Sequence, residues 1–260
     1  MVDLFHRDLG GEGKPPLVVL HGLLGSSRNW AAAGKDLTAN FHVFALDLRN
    51  HGESPHAEEH DYRLMAEDVL GWMNRMGIER CHLMGHSMGG KTAMRIACRH
   101  PERMKSLVVV DISPRAKEPK HRAEFAALNR LPLHDLSSRA EADQMLAREV
   151  SSWGMRQFLL TNLVRREDGS FAWQANLPVL TREIEGTGDA SISEEDRFEG
   201  PALWIVGGKS DFVSADDRPL IERHFSAATI DTFPESGHNP HVEDRLRFSE
   251  RVRRFLVEGW

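Results

Sequence analysis

The pentapeptide Gly85-His86-Ser87-Met88-Gly89 constrains this chain more than any other stretch. It joins an apolar run, 81–85, which reads as a strand, to Lys91-Thr92-Ala93-Met94-Arg95-Ile96-Ala97, which reads as a helix. In so sharp a strand-to-helix turn, side chains two positions either side of the serine would collide with neighbouring backbone, so glycine is needed at both. The serine hydroxyl is thereby forced outward at the top of a sheet, as a nucleophile requires. The Met88 N–H opens the helix, aimed where an oxyanion would form. Three fixed positions recur by chance in unrelated chains, but the strand before and the helix after supply the context that this pattern demands. A serine that merely caps the helix is the weaker alternative.

Strand and helix signals alternate around that turn. Residues 17–20, 41–47, 106–111, 201–206 and 228–233 read as short buried strands. Residues 62–76 place Tyr62, Met65, Val69, Trp72, Met73 and Met76 on one helical face before Gly77 stops it. A helix over 88–99 ends before Pro101, and a last one over 242–257 carries Val242, Leu246, Val252, Phe255 and Leu256 at helical spacing. This is the pattern of an α/β fold with a largely parallel sheet. Between Pro114 and Gly200 no strand run appears, and amphipathic helices follow one another at about 120–131, 137–150 and 155–164. That segment, 114–200, is expected to form a helical cap over a core made of 1–113 and 201–260. Its aromatic content, with Trp153, Phe158, Phe171 and Trp173, exceeds that of a solvated linker. Trp153 and Phe158 are therefore candidates to touch substrate.

A chain of 260 residues with 40% hydrophobic and 28% charged residues can bury one large core. The net charge of −6, without acidic or basic blocks, draws it toward neither nucleic acid nor an anionic membrane surface. The N-terminal residues carry no basic and then apolar leader, and no run is long enough to span a bilayer, so a cytoplasmic protein is expected, as a monomer or homodimer. Cys81 and Cys98 are too few for a disulfide framework. The 14 histidines raise the question of a metal, but neither His51, His56 and His60 nor His238 and His241 has ligand spacing, and no metal is expected.

Two further segments complete a catalytic set. His21-Gly22-Leu23-Leu24-Gly25 follows the strand 17–20 and has the form of a loop giving a second oxyanion donor, assigned to the Leu23 N–H beside that of Met88. His238, in Ser236-Gly237-His238-Asn239-Pro240, follows the last strand, where a general base belongs. A carboxylate must hold its Nδ1, and there are two candidates. Asp211 lies after the strand 201–206, but the pattern G-x-x-D-x-x-V, set by Gly207 and Val213, puts Ser210 in the acid position and Asp211 one residue beyond it. Asp111, at the end of the strand 106–111, is preferred, with Asp211 as the alternative and Ser210 adding a hydrogen bond.

These residues resemble the α/β-hydrolase superfamily and, within it, the YbfF-like bacterial esterases and their mitochondrial abhydrolase-domain relatives. The resemblance rests on His21 to Ser26, on Asp47-Leu48-Arg49-Asn50-His51-Gly52-Glu53-Ser54-Pro55-His56, on Gly85 to Met94, on Val110 to Pro114, and on Gly207 to Ser210 and Gly237-His238. In the cap the likeness is confined to Phe158 to Leu163. YbfF-like esterases resemble this chain in a non-acidic residue at the Ser210 position and an aspartate matching Asp111, whereas Asn239 departs from the aromatic residue common after the histidine. The resemblance implies a mostly parallel central sheet flanked by helices, with the cap inserted after the sixth strand. It also implies a cofactor-free serine hydrolase acting on a small-molecule acyl ester or thioester. His21, Trp153 and Phe158 are the candidate substrate contacts. Carbon–carbon bond hydrolysis by the same serine, or a ligand sensor on a hydrolase scaffold, are the alternatives from the same fold.

Overall fold

The computed structural model describes residues 1–258. In chain order its elements are β1 (His6–Gly10), β2 (Pro16–Leu20), α1 (Ala31–Leu37), β3 (His42–Leu46), α2 (Tyr62–Arg75), β4 (Cys81–His86), α3 (Met88–Arg99) and β5 (Met104–Val110). There follow α4 (Arg122–Asn129), α5 (Arg139–Leu146), α6 (Trp153–Leu160), β6 (Leu163–Arg165), β7 (Phe171–Trp173) and α7 (Leu177–Arg182). The chain closes with β8 (Ala202–Gly207), α8 (Arg218–His224), β9 (Ala228–Phe233), α9 (Pro240–Glu243) and α10 (Arg245–Glu258).

Seven strands form one sheet in the order β1-β3-β2-β4-β5-β8-β9, parallel throughout except for β1, which pairs antiparallel with β3. The inner strands are largely apolar because both faces are covered, with polar residues such as His82 in β4 and Lys105 and Ser106 in β5 confined mainly to their starts. One face packs residues such as Met65, Val69, Trp72 and Met94 of α2 and α3. The other packs Leu37, Phe248 and Val252 of α1 and α10. Because β2, β4, β5 and β8 run parallel in register, their carboxyl ends lie along one edge. The order reverses direction between β2 and β4, and such a switch point opens a crevice beyond the strand ends.

The insertion between β5 and β8 has a core of its own, including Phe125, Leu128, Leu146, Leu159 and Leu180, which also takes in Leu24 of the loop after β2. Counted along this chain it follows the fifth strand rather than the sixth, because a single strand precedes β2. It is not purely helical: β6 and β7 pair antiparallel as a short hairpin closed through Gly169 at φ +86°. Three-residue strands carry too little periodicity to be read from sequence. The edge strand β1 carries no apolar run for a related reason, since its residues are partly buried or, at Asp8, exposed. The apolar stripe over 242–257 is also broken. Asp244 leaves helical geometry between α9 and α10, so Val242 and Leu246 are exposed while Phe248, Val252 and Phe255 are buried. No helix among the described residues is long and apolar enough to cross a membrane.

Candidate active site

Ser87 lies between β4 and α3 with φ +50° and ψ −116°, outside the regions that side chains ordinarily favour. The surroundings hold it there. Its N–H donates to Val110 O at 3.0 Å, and the Gly89 N–H donates to His21 O at 3.1 Å. A Cβ on Gly89 would stand 2.6 Å from the Leu20 and His21 carbonyl oxygens, so nothing larger than hydrogen fits. As first residue of α3, Met88 has an amide N–H with no acceptor inside the helix.

The loop after β2 comes up against the same serine. A Cβ on Gly22 would be 2.8 Å from His86 Nδ1 and 3.3 Å from Ser87 Cβ. Glycine there is what lets the loop approach. Gly25 N–H donates to Gly22 O at 2.9 Å, and Leu24 takes φ +58°, a turn that leaves Leu23 beside the Ser87 crevice. His21, expected as a substrate contact, borders the Ser87 crevice although only 1% exposed, and it also braces the loop: its Nδ1 donates to Gly22 O at 2.8 Å and its Nε2 accepts from Leu48 N–H at 3.0 Å. Both ring nitrogens are spent on backbone, and burial pushes the ring below its ordinary pKa, which keeps it neutral.

The structure brings Asp111 to His238 and leaves Asp211 away from it. Asp111 Oδ2 accepts from His238 Nδ1 at 2.7 Å and also from the Ser210 hydroxyl, while Oδ1 accepts from Gly207 N–H at 2.8 Å. The carboxylate is fully buried, on a residue at φ +49°. Asp211 is exposed and ion-paired with Lys120, whose hydrogen bond holds its carboxyl below the usual range. The one-residue offset has the consequence that Ser210 faces the carboxylate and Asp211 faces solvent.

Three residues that sequence reading did not single out fix His238. The Phe212 ring stacks on the imidazole, centroids 3.8 Å apart and 16° from parallel. His86 donates from Nε2 to His238 O at 2.8 Å, and burial holds its ring far below the ordinary histidine pKa. Glu243 accepts from the N–H groups on both sides, Gly237 at 2.5 Å and Asn239 at 3.1 Å. His86 occupied a variable position of the pentapeptide, and no motif announces Phe212 or Glu243.

Ser87 opens onto two compartments. The larger, about 600 Å³, is bordered by His86, His238, Asn239, Met155, Gln157 and Phe158. The smaller, about 50 Å³, lies against Tyr62, Met88, Lys91, Ile112, Phe212 and residues 117–121. Phe158 of α6 therefore reaches the crevice, but Trp153 does not. It is 67% exposed in the first turn of α6, and at ~100° per residue it projects about 140° around the helix from Phe158.

A family model described as the alpha/beta hydrolase fold matches residues 15–245. The chain belongs to that family. It is 37% identical to the sn-1-specific diacylglycerol lipase ABHD11 of Mus musculus, over 94% of this chain and 81% of that protein. It is 32% identical to Esterase YbfF of Escherichia coli (strain K12), over 93% and 92%. Among solved structures it is similar to one described as a marine microorganism esterase, with TM-score 0.94 and 34% identity over 97% of this chain and 98% of that one. The esterase and lipase names borne by these relatives of an α/β-hydrolase support ester hydrolysis in general.

Proposed function

We propose that this α/β-hydrolase cleaves carboxylic esters or acyl thioesters through a covalent acyl-enzyme on Ser87. The observation that carries the reading is the convergence at one crevice of a serine on a strained turn and a histidine whose Nδ1 is bound to a buried carboxylate. With Nδ1–H donating to Asp111, the lone pair of His238 is on Nε2, where a base must have it. Ser87 Oγ attacks the carbonyl carbon as His238 takes its proton, and the amides of Leu23 and Met88 receive the oxyanion. The bond to the leaving group breaks as His238 returns the proton to it, and water repeats the sequence to release the acid. Phe158 borders the crevice on the cap side, and no cofactor takes part in the scheme. A fluorophosphonate probe is expected to label the protein at Ser87, and Ser87→Ala is expected to abolish labelling and cost several orders of magnitude in kcat. Labelling that persists in Ser87→Ala, or a wild type inert toward every activated ester, would overturn the reading.

A further inference from the structure

The two compartments at Ser87 differ about twelvefold in volume, and the position of His238 assigns them. In the tetrahedral adduct the oxyanion lies at the Leu23 and Met88 amides, and the leaving atom must lie within hydrogen-bond reach of His238 Nε2 to take its proton. His238 and Asn239 border the large compartment. The small compartment shares Leu23, Ser87 and His121 with the large one but is not bordered by His238; it presents Phe212, stacked over the imidazole face, and the buried side chains of Met88 and Ile112, with Lys91 and residues 117–120 around them. The remaining substituent of the adduct, the acyl chain, is directed there. Resting on the serine-hydrolase reading above, we infer that the small compartment holds the acyl group and the large one the leaving group. The preferred substrates are then esters or thioesters of two- or three-carbon acids with bulky alcohols or thiols.

The size limit is built in. A cavity of about 150 Å³ takes benzene, so 50 Å³ accepts about one or two carbons beyond the carbonyl. Its roof is tied to the core by Tyr62 Oη, which donates to Thr187 O at 2.7 Å, and Lys91 Nζ, which donates to Gly188 O at 3.0 Å, and is braced within the cap by Lys117 N–H, which donates to Gly188 O at 2.9 Å. Widening it for a longer chain means breaking those bonds or displacing well-packed side chains. On the opposite side α6 presents Met155 and Phe158 to a volume that accommodates many carbons. The substrate contact expected of Phe158 is thereby a contact with the leaving group.

The test uses two ester series on the wild-type protein. In nitrophenyl esters from acetate to octanoate, kcat/KM is expected to peak at two or three carbons and fall at least tenfold by hexanoate. In acetates of ethanol, hexanol and decanol it should change far less or rise. Ile112→Ala and, independently, Met88→Ala should move the acyl optimum up by one or two carbons, while Phe158→Trp should slow only the long-alcohol acetates. Rates that rise toward octanoate, or a strict limit on the alcohol instead, overturn the inference while leaving the serine-hydrolase reading intact, and neither outcome depends on a variant folding. If no ester of either series turns over and no probe labels Ser87, that reading falls and this inference falls with it.

Discussion

The carboxylate on His238 is where a single residue decides most. The proposed role of Asp111 requires it to fix the tautomer and to stabilise the imidazolium, and the asparagine variant can do neither. Asp111→Asn is expected to lower kcat by roughly 10⁴, as loss of the tautomer does in serine proteases, with little change in KM. Asp211→Asn removes an exposed pair with Lys120 and should change kcat only a few-fold. Steady-state kinetics of the two variants check both values, and the opposite ranking would transfer the role to Asp211. The strain at this edge has the same logic. Leu24, Asn50, Ser87 and Asp111 are the non-glycine positions at positive φ among the described residues, and they follow the carboxyl ends of β2, β3, β4 and β5 in turn. Each costs of order 1 kcal/mol or more, and each persists because neighbouring hydrogen bonds and close contacts leave no alternative.

Between elements, the run Asp47 to His56 after β3 works as scaffold. Asp47 Oδ1 and Oδ2 accept from Ser27 and Glu53 N–H at 2.5 and 2.7 Å, and the Asn50 carbonyl accepts from Asn176 N–H at 2.9 Å, which ties the loop to the start of α7. Arg49 and Asp68 of α2 form a buried two-point ion pair, with Nε to Oδ2 at 2.6 Å and Nη2 to Oδ1 at 3.0 Å. Removing one partner strands the other charge, so Asp68→Ala should cost about 3–5 kcal/mol in chemical denaturation. Asp68→Ala with Arg49→Met should recover part of that loss; no recovery would mean that the charges are not the cause. Sequence made β4, Ser87 and α3 legible because the steric demand of the turn writes itself as glycines at fixed positions. The run around Arg49 was legible as a pattern but not as a role, because its partners Asp68 and Asn176 lie 19 and 126 positions from Arg49 and Asn50. The exposed side of α6 was misjudged at Trp153 for the same reason: periodicity gives the angle between two residues on a helix, not which angle faces the crevice.

Across the whole molecule, neutral histidines lie buried at the carboxyl edge of the sheet. His21, His51, His60, His86 and His241 are each pushed below the ordinary value of 6.5 by burial first. Their neighbours are one another: His51 lies 5.0 Å from His21 and 5.6 Å from His60, and His86 lies 4.8 Å from His241. His60 is lowered to about 4 and His241 to about 3. In the unfolded chain all would titrate near 6.5, so between that pH and the folded values the unfolded state binds more protons. Stability therefore rises with pH in this window: it is fully present above about 6.5 and is lost progressively as pH falls toward 4 and 3. Each histidine contributes about 1.4 kcal/mol per pH unit once well below 6.5, so two of them suffice to remove several kcal/mol by pH 5. That is a large share of the ~5–15 kcal/mol by which domains are stable. Thermal melts from pH 8 to 4.5 should show a nearly constant Tm above pH 7 and a steep fall below 6. The ring nitrogens of His60 have no hydrogen-bond partner, so His60→Phe keeps its packing and removes its proton site. That variant should melt closer to its neutral-pH value at pH 5 than the wild type does. A wild-type Tm that holds steady down to pH 5, or a His60→Phe protein with an unaltered acid slope, would place the acid lability elsewhere.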